Sequence, residues 1–162
     1  MFLAGETIIY GSIGVCEIKE ISEYRLTGTL RQYYVLQPVD TVKNVIYVPV
    51  DNEKLVSRMR AVPSKNEITK FIKEVDSEEV LWIDNNIERT QVYREIIADG
   101  ELKKNIRLLR ALSRRSVSLL EEGKHLPKSD ERIYKECSKL ISHEISFIMQ
   151  LDIDEALQLA LT

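Results

Sequence analysis

The 162 residues, 44% hydrophobic and 30% charged, carry enough apolar material for real cores and too much for global disorder, while the length admits one domain or two small ones. A formal net charge of −3 excludes a protein that coats nucleic acid through its overall field, so any such contact must be local. No apolar run approaches the ~20 residues that span a bilayer.

The N-terminal part reads as strands. Glu6-Thr7-Ile8-Ile9-Tyr10 leads into Gly11-Ser12-Ile13-Gly14, a turn whose glycines accept positive φ. Val15-Cys16-Glu17-Ile18 opens a second strand that runs on to Ile21. A third is expected over 24–30, with Gly28 as its hairpin turn, a fourth over 32–37 and a fifth over 44–50. β-Branched and aromatic residues dominate each run. Pro49 has no N–H to donate, so it ends the last strand or lies at an edge able to accept a partner's strand. Five short strands so closely spaced suggest a small, bent β-barrel of the SH3 or Tudor kind.

From Pro63 the pattern becomes helical. Ser64-Lys65-Asn66-Glu67 is a capping box, after which Ile68, Phe71, Ile72 and Val75 share a face. Residues 80–86 read as a connection and 87–98 as a second helix stopped by Gly100. Leu102, Ile106, Leu109, Leu112 and Val117 mark a third helix ending near Gly123. Beyond Pro127, Ser129 is expected to cap a fourth, with Ile133, Cys137, Leu140, Ile141 and Phe147 inward. Asp152 and Glu155 form another box before a short helix over 155–160. The expected class is α+β: a β-barrel domain at 1–60 and an all-α domain at 61–162, with the boundary within 59–64.

Lys103, Arg107, Arg110 and Arg114 fall on one stripe of the third helix, flanked by Lys104 and Arg115, with no acid between 103 and 115. Six like charges repel one another unless an anion offsets them, and a phosphate backbone is the natural candidate. The competing reading is a solvated face paired with acids from other helices. Trp82, the one tryptophan, is either a core anchor or a ring that wedges against bases. Asn85, Asn86 and Arg89 follow it, where a helix start offers N–H groups to phosphate. Catalysis has little support. His125, in a Gly-Lys-His-Leu-Pro loop, and His143, on an amphipathic helix, read more easily as surface or packing residues than as bases. The strand of Cys16 offers no base in sequence, and metal-ligand spacings and phosphate loops are missing. With no C-x-x-C, Cys16 and Cys137 read as buried free thiols of a reducing compartment, though a disulfide between them stays open. Met1-Phe2-Leu3-Ala4-Gly5-Glu6 lacks the basic start and apolar stretch of a secretory signal, so a cytoplasmic location is expected.

The first half resembles the CarD/CdnL family of bacterial transcription regulators, whose N-terminal domain is shared with transcription-repair coupling factors. The resemblance rests on Gly5-Glu6-Thr7-Ile8-Ile9-Tyr10, Gly14-Val15-Cys16-Glu17-Ile18, Tyr33-Tyr34-Val35-Leu36 and Ile46-Tyr47-Val48-Pro49-Val50. It continues through Trp82-Ile83-Asp84, Arg89, Tyr93-Arg94-Glu95-Ile96-Ile97, Asp99-Gly100 and Ser129-Asp130-Glu131-Arg132. It implies a Tudor-like barrel that binds the RNA polymerase β subunit, partly by strand addition, and a helical domain touching promoter DNA at the upstream edge of the bubble to modulate the open complex. Carried over, Tyr24, Arg25, Val45, Ile46, Tyr47 and Val48 form the polymerase face. Trp82, Asn85, Asn86, Arg89, Lys103, Lys104, Arg107, Arg110, Arg114, Arg115 and Arg132 form the DNA face. Several relatives have arginine at the positions of Tyr24 and Tyr47, so side-chain contacts differ here. Some carry a tryptophan where Asn86 stands; Trp82 lies one turn earlier, and a structural role for it is preferred. The expected regulator is not an enzyme and uses no cofactor, metal, membrane or small-molecule substrate. The alternatives are a polymerase adaptor without DNA contact, and an RNA-binding module stacking bases on Tyr10, Tyr33, Tyr34 and Tyr47.

Overall fold

The computed structural model describes residues 1–41, 43–75 and 82–162. The chain divides into two compact units, Met1–Val62 and Pro63–Thr162.

The first unit is an antiparallel five-stranded sheet: β1 (Thr7–Tyr10), β2 (Gly14–Tyr24), β3 (Arg31–Pro38), β4 (Ile46–Pro49) and β5 (Met59–Ala61), in the order β4-β3-β2-β1-β5. A one-turn helix, α1 (Glu53–Val56), precedes β5. The β1–β2 turn needs Gly14 at φ 92°, a conformation that a Cβ would strain. Residues Ile8, Tyr10, Cys16, Ile18, Tyr34, Leu36, Val48 and Met59 form the core of the sheet, as alternation along each strand dictates. The pairing of β2 with β3 shifts between Ile18 and Glu20, a bulge that lets one long strand bend.

One expected strand of this unit fails, and one strand was missed. Residues 25–30 are not a strand but an exposed loop, because β2 runs on to Tyr24 and Gly28, at φ 85°, turns within the connection to β3. The strand expected over 44–50 is present as β4, and the sheet has one further strand that was not expected, Met59–Ala61, too short to announce itself, which exists because β1 offers Ile8, Ile9 and Tyr10 as pairing partners.

The second unit holds α2 (Lys65–Val75), α3 (Asn86–Asp99), α4 (Leu102–Glu121), α5 (Lys128–Met149) and α6 (Ile153–Leu161). The Ser64 box forms as expected: the Ser64 N–H donates to Glu67 Oε2 at 2.7 Å and the Glu67 N–H to Ser64 Oγ at 3.2 Å. Gly100 caps α3 at φ 71°, and Asp152 with Glu155 caps α6. Ile68, Val75, Ile97, Leu102, Ile106, Leu109, Leu112, Ile133, Cys137, Ile141 and Ile145 belong to one core. Val117 and Phe147, expected inside, are 56% and 47% exposed; Leu119 and Ile145 occupy the inward positions. Ser129 does not cap α5. Pro127 stands at the cap without a side-chain bond, and the Ser129 hydroxyl donates to Asn86 Oδ1 at 3.3 Å. Val80 and Leu81 of the expected connection lie outside the described residues.

Candidate partner-binding surfaces

β4 is an edge strand: among the described residues it pairs with β3 alone. The Val50 N–H donates to Gln32 O at 3.0 Å, and the register sets Tyr34 against Val48 and Leu36 against Ile46. By antiparallel alternation, Ile46 and Val48 turn their backbone groups toward β3, and Tyr47 turns its N–H and C=O to the open side. The missing N–H of Pro49 falls on that open side, where no ladder bond is lost. The strand is therefore a template for another chain.

Side chains alternate along β4. Val48 is fully buried and Ile46 packs against the core, so neither is the exposed contact that the sequence suggested, whereas Val45 and Tyr47 are exposed. Tyr24 is not on the neighbouring strand, since β3 intervenes, but its ring reaches across: its centroid is 5.3 Å from that of Tyr47. Both rings stand edge-on to the buried Tyr33, at 6.5 and 6.3 Å. The Tyr24 hydroxyl donates to the Glu20 carboxylate, which pushes its pKa up. Arg25 is exposed in the following loop. Beyond the strand, Arg31 grips Asp51 through Nη2–Oδ1 at 2.6 Å and Nε–Oδ2 at 3.3 Å and holds its carboxyl below the ordinary value. That fork ties the chain after β4 to the start of β3. Tyr10, Tyr33 and Tyr34 are buried, so the expected base-stacking surface reduces to Tyr47 among those four.

The helical candidates are arranged differently. Arg89 is 3% exposed. Its Nε and Nη2 donate to Oδ1 and Oδ2 of the fully buried Asp130 at 2.9 and 2.7 Å. Its Nη1 reaches the carbonyls of Ile83 and Asp84 at 2.8 and 3.3 Å, and Nη2 also reaches Asn86 Oδ1 at 2.7 Å. A guanidinium has five N–H donors, and this set of acceptors occupies them all, so Arg89 has none left for phosphate. The helix start it was read with is also closed: Asn85 Oδ1 accepts the Ile87 and Glu88 N–H groups at 3.0 Å each. Trp82 is half-buried against the helical core, with the Arg89 guanidinium 4.2 Å and that of Arg115 5.0 Å from its ring.

The stripe on α4 is broken up as well. Arg110 is 3% exposed and its Nε donates to the Ala160 carbonyl near the end of α6 at 2.7 Å. Lys103 pairs with Glu74 of α2 at 3.0 Å, lowering the Glu74 pKa, and Lys104 with Glu101 at 2.8 Å. Arg107 is half-buried; Arg114, Arg115 and Arg132 are exposed. The acids missing from 103–115 are thus supplied in part by Glu101 just before the helix and by Glu74 on α2. Sequence reasoning also missed Asp130, 41 residues from Arg89. One signal was present: Arg89, Tyr93 and Ile97 share the i, i+4, i+8 spacing of an inward face, and all three are buried.

Cys16 and Cys137 are free, buried thiols whose pKa values desolvation pushes up to about 12. Among the described residues no His, Cys, Asp and Glu cluster suits a metal ion, and no helix is long and apolar enough to cross a membrane.

Residues 2–60 match the CarD-like/TRCF RID domain family, a stretch lying within the sheet unit. No curated protein matches the chain.

Proposed function

We propose that the chain is a transcription-related polymerase-binding protein that docks on the polymerase β subunit by adding a β-subunit strand to β4, a reading supported by the match of residues 2–60 to the CarD-like/TRCF RNA-polymerase-interacting domain. The observation that carries this reading is the open edge of β4, with Tyr47 presenting both its backbone groups and its ring. The helical unit then meets promoter DNA at the upstream edge of the bubble through Arg114, Arg115, Arg132 and Lys104, the exposed members of the basic set. Trp82 serves as the seat of Arg115 rather than as a wedge.

Free DNA affinity is expected to be weak, given the net charge of −3. Docking the neighbouring unit on polymerase raises the local concentration to about millimolar, so a feeble, sequence-blind contact suffices. About 1.4 kcal/mol of differential contact shifts the open-complex equilibrium tenfold. A second reading, the adaptor whose helices bind protein instead of DNA, is favoured by the internal engagement of Arg89 and Arg110.

The test is promoter footprinting and in vitro transcription with core polymerase and its promoter-recognition subunit. Tyr47→Ala, which keeps the backbone groups and loses the ring, should weaken polymerase binding at least tenfold and reduce the transcriptional effect in step. Arg114→Glu with Arg115→Glu should leave polymerase binding intact and remove the upstream footprint. An unchanged footprint selects the adaptor, and a wild-type protein that ignores the β subunit ends the proposal.

A further inference from the structure

The sheet face beside the β4 edge has a chemistry of its own. Glu20, Val35 and Tyr47 form one cross-strand row on β2, β3 and β4. Tyr24, Tyr33 and Tyr47 stand together on this face, edge to face, with centroids 5.3 to 6.5 Å apart. Tyr33 is the buried floor; Tyr47 is 40% exposed and Tyr24 partly so. The Tyr24 ring is pinned by its hydroxyl bond to Glu20, so the surface is organised before any partner arrives. The guanidinium of this face, Arg31, is neutralised by Asp51, which leaves the exposed Glu20 carboxylate as the charge of the row.

Electron-rich ring faces and a carboxylate attract a cation and repel an acid. Adjacent strands lie about 4.8 Å apart, so Glu20 lies three strands, roughly 14 Å, from a chain added beyond β4, and a long side chain laid across the row reaches the rings and faces the carboxylate without touching it. Resting on the strand-addition mode above, we propose that the polymerase strand added to β4 carries a lysine or arginine opposite Tyr47, its cation seated on the Tyr24 and Tyr47 rings and facing Glu20. Backbone pairing then supplies affinity, and this cation supplies the choice of strand and its register.

The experiment measures binding of the full-length chain to core RNA polymerase at low and high salt. Tyr47→Glu and Tyr47→Arg lose the ring alike and differ only in charge; circular dichroism confirms that both fold. Tyr47→Arg should bind at least tenfold more weakly than Tyr47→Glu at low salt, the gap narrowing as salt screens it, about a factor of ten being within reach of one close charge pair. Tyr47→Phe, which keeps the ring face, should stay within about twofold of wild type. Tighter binding by Tyr47→Arg than by Tyr47→Glu overturns the cationic partner while leaving the docking mode standing, and so does equal binding by the two. A wild-type chain that does not bind polymerase overturns both.

Discussion

The edge of β4 and the start of α3 are both rich in polar groups, and the fold treats them in opposite ways. On β4, register turns the Tyr47 backbone outward, and alternation does the same for its ring. On α3, Asn85 covers the first N–H groups and Asp130, Asn86 and two carbonyls absorb Arg89. A surface that must accept a partner keeps its valences open; one that organises a core closes them. A count of charges along a sequence does not separate these cases, because a guanidinium 3% exposed and one facing water contribute the same +1.

The sharpest way to break the contrast is Arg89→Ala. It strands Asp130 as a buried charge and should cost about 3–5 kcal/mol of helical-unit stability in urea unfolding followed by far-UV circular dichroism. A loss below about 1 kcal/mol would mean that Arg89 is not committed inward and returns to the DNA-binding candidates.

Arg110 against Arg115 comes next. Arg110→Ala removes a charge-assisted bond to the Ala160 carbonyl and should cost about 1.5–3 kcal/mol. Arg115→Ala, on the exposed part of the same helix, should stay within about 0.5 kcal/mol. Equal costs would erase the distinction between inward and outward cations on α4.

Neighbours on β4 sharpen the other half. Val48→Ala trims a fully buried side chain and should lower stability by about 2 kcal/mol, with polymerase binding retained in the folded fraction. Tyr47→Ala should cost no more than about 1 kcal/mol, the scale of its ring contacts, yet weaken binding at least tenfold. Thermal melts and a polymerase pull-down on both proteins separate folding from docking.

The smallest effect is the pH response of the α2 cap. The Ser64 N–H bond holds the Glu67 carboxyl below its ordinary value. Its stabilisation is complete above the ordinary carboxylate range and is lost as pH falls through the lowered folded value. The difference in melting temperature between wild type and Glu67→Gln should therefore shrink from pH 7 toward about pH 3. A difference that does not change with pH would show that the bond survives protonation.

The contrast also marks how far the residues could be read alone. The caps at Ser64, Gly100 and Asp152, and most of the inward helical positions, were legible because they depend on neighbours three or four residues away. Pro49 at an edge was legible for the same reason, since a missing N–H is a local fact. Tyr47 followed from family resemblance, and the Tyr24–Tyr33–Tyr47 cluster did not follow at all, because three strands must pair before those rings meet.

Local chemistry by itself determined that this chain has a β half and a helical half, where several of the helices begin and stop, and that it carries too little positive charge to hold DNA through its overall field. Tertiary structure alone decided that Met59–Ala61 is a strand, that Arg89 and Arg110 are interior groups, and that Val48 faces the core while Tyr47 faces out. The physical reason is distance along the chain. A three-residue strand forms only when β1 presents its edge, and a cation is withdrawn from solvent only when an acceptor 41 or 50 residues away arrives to meet it.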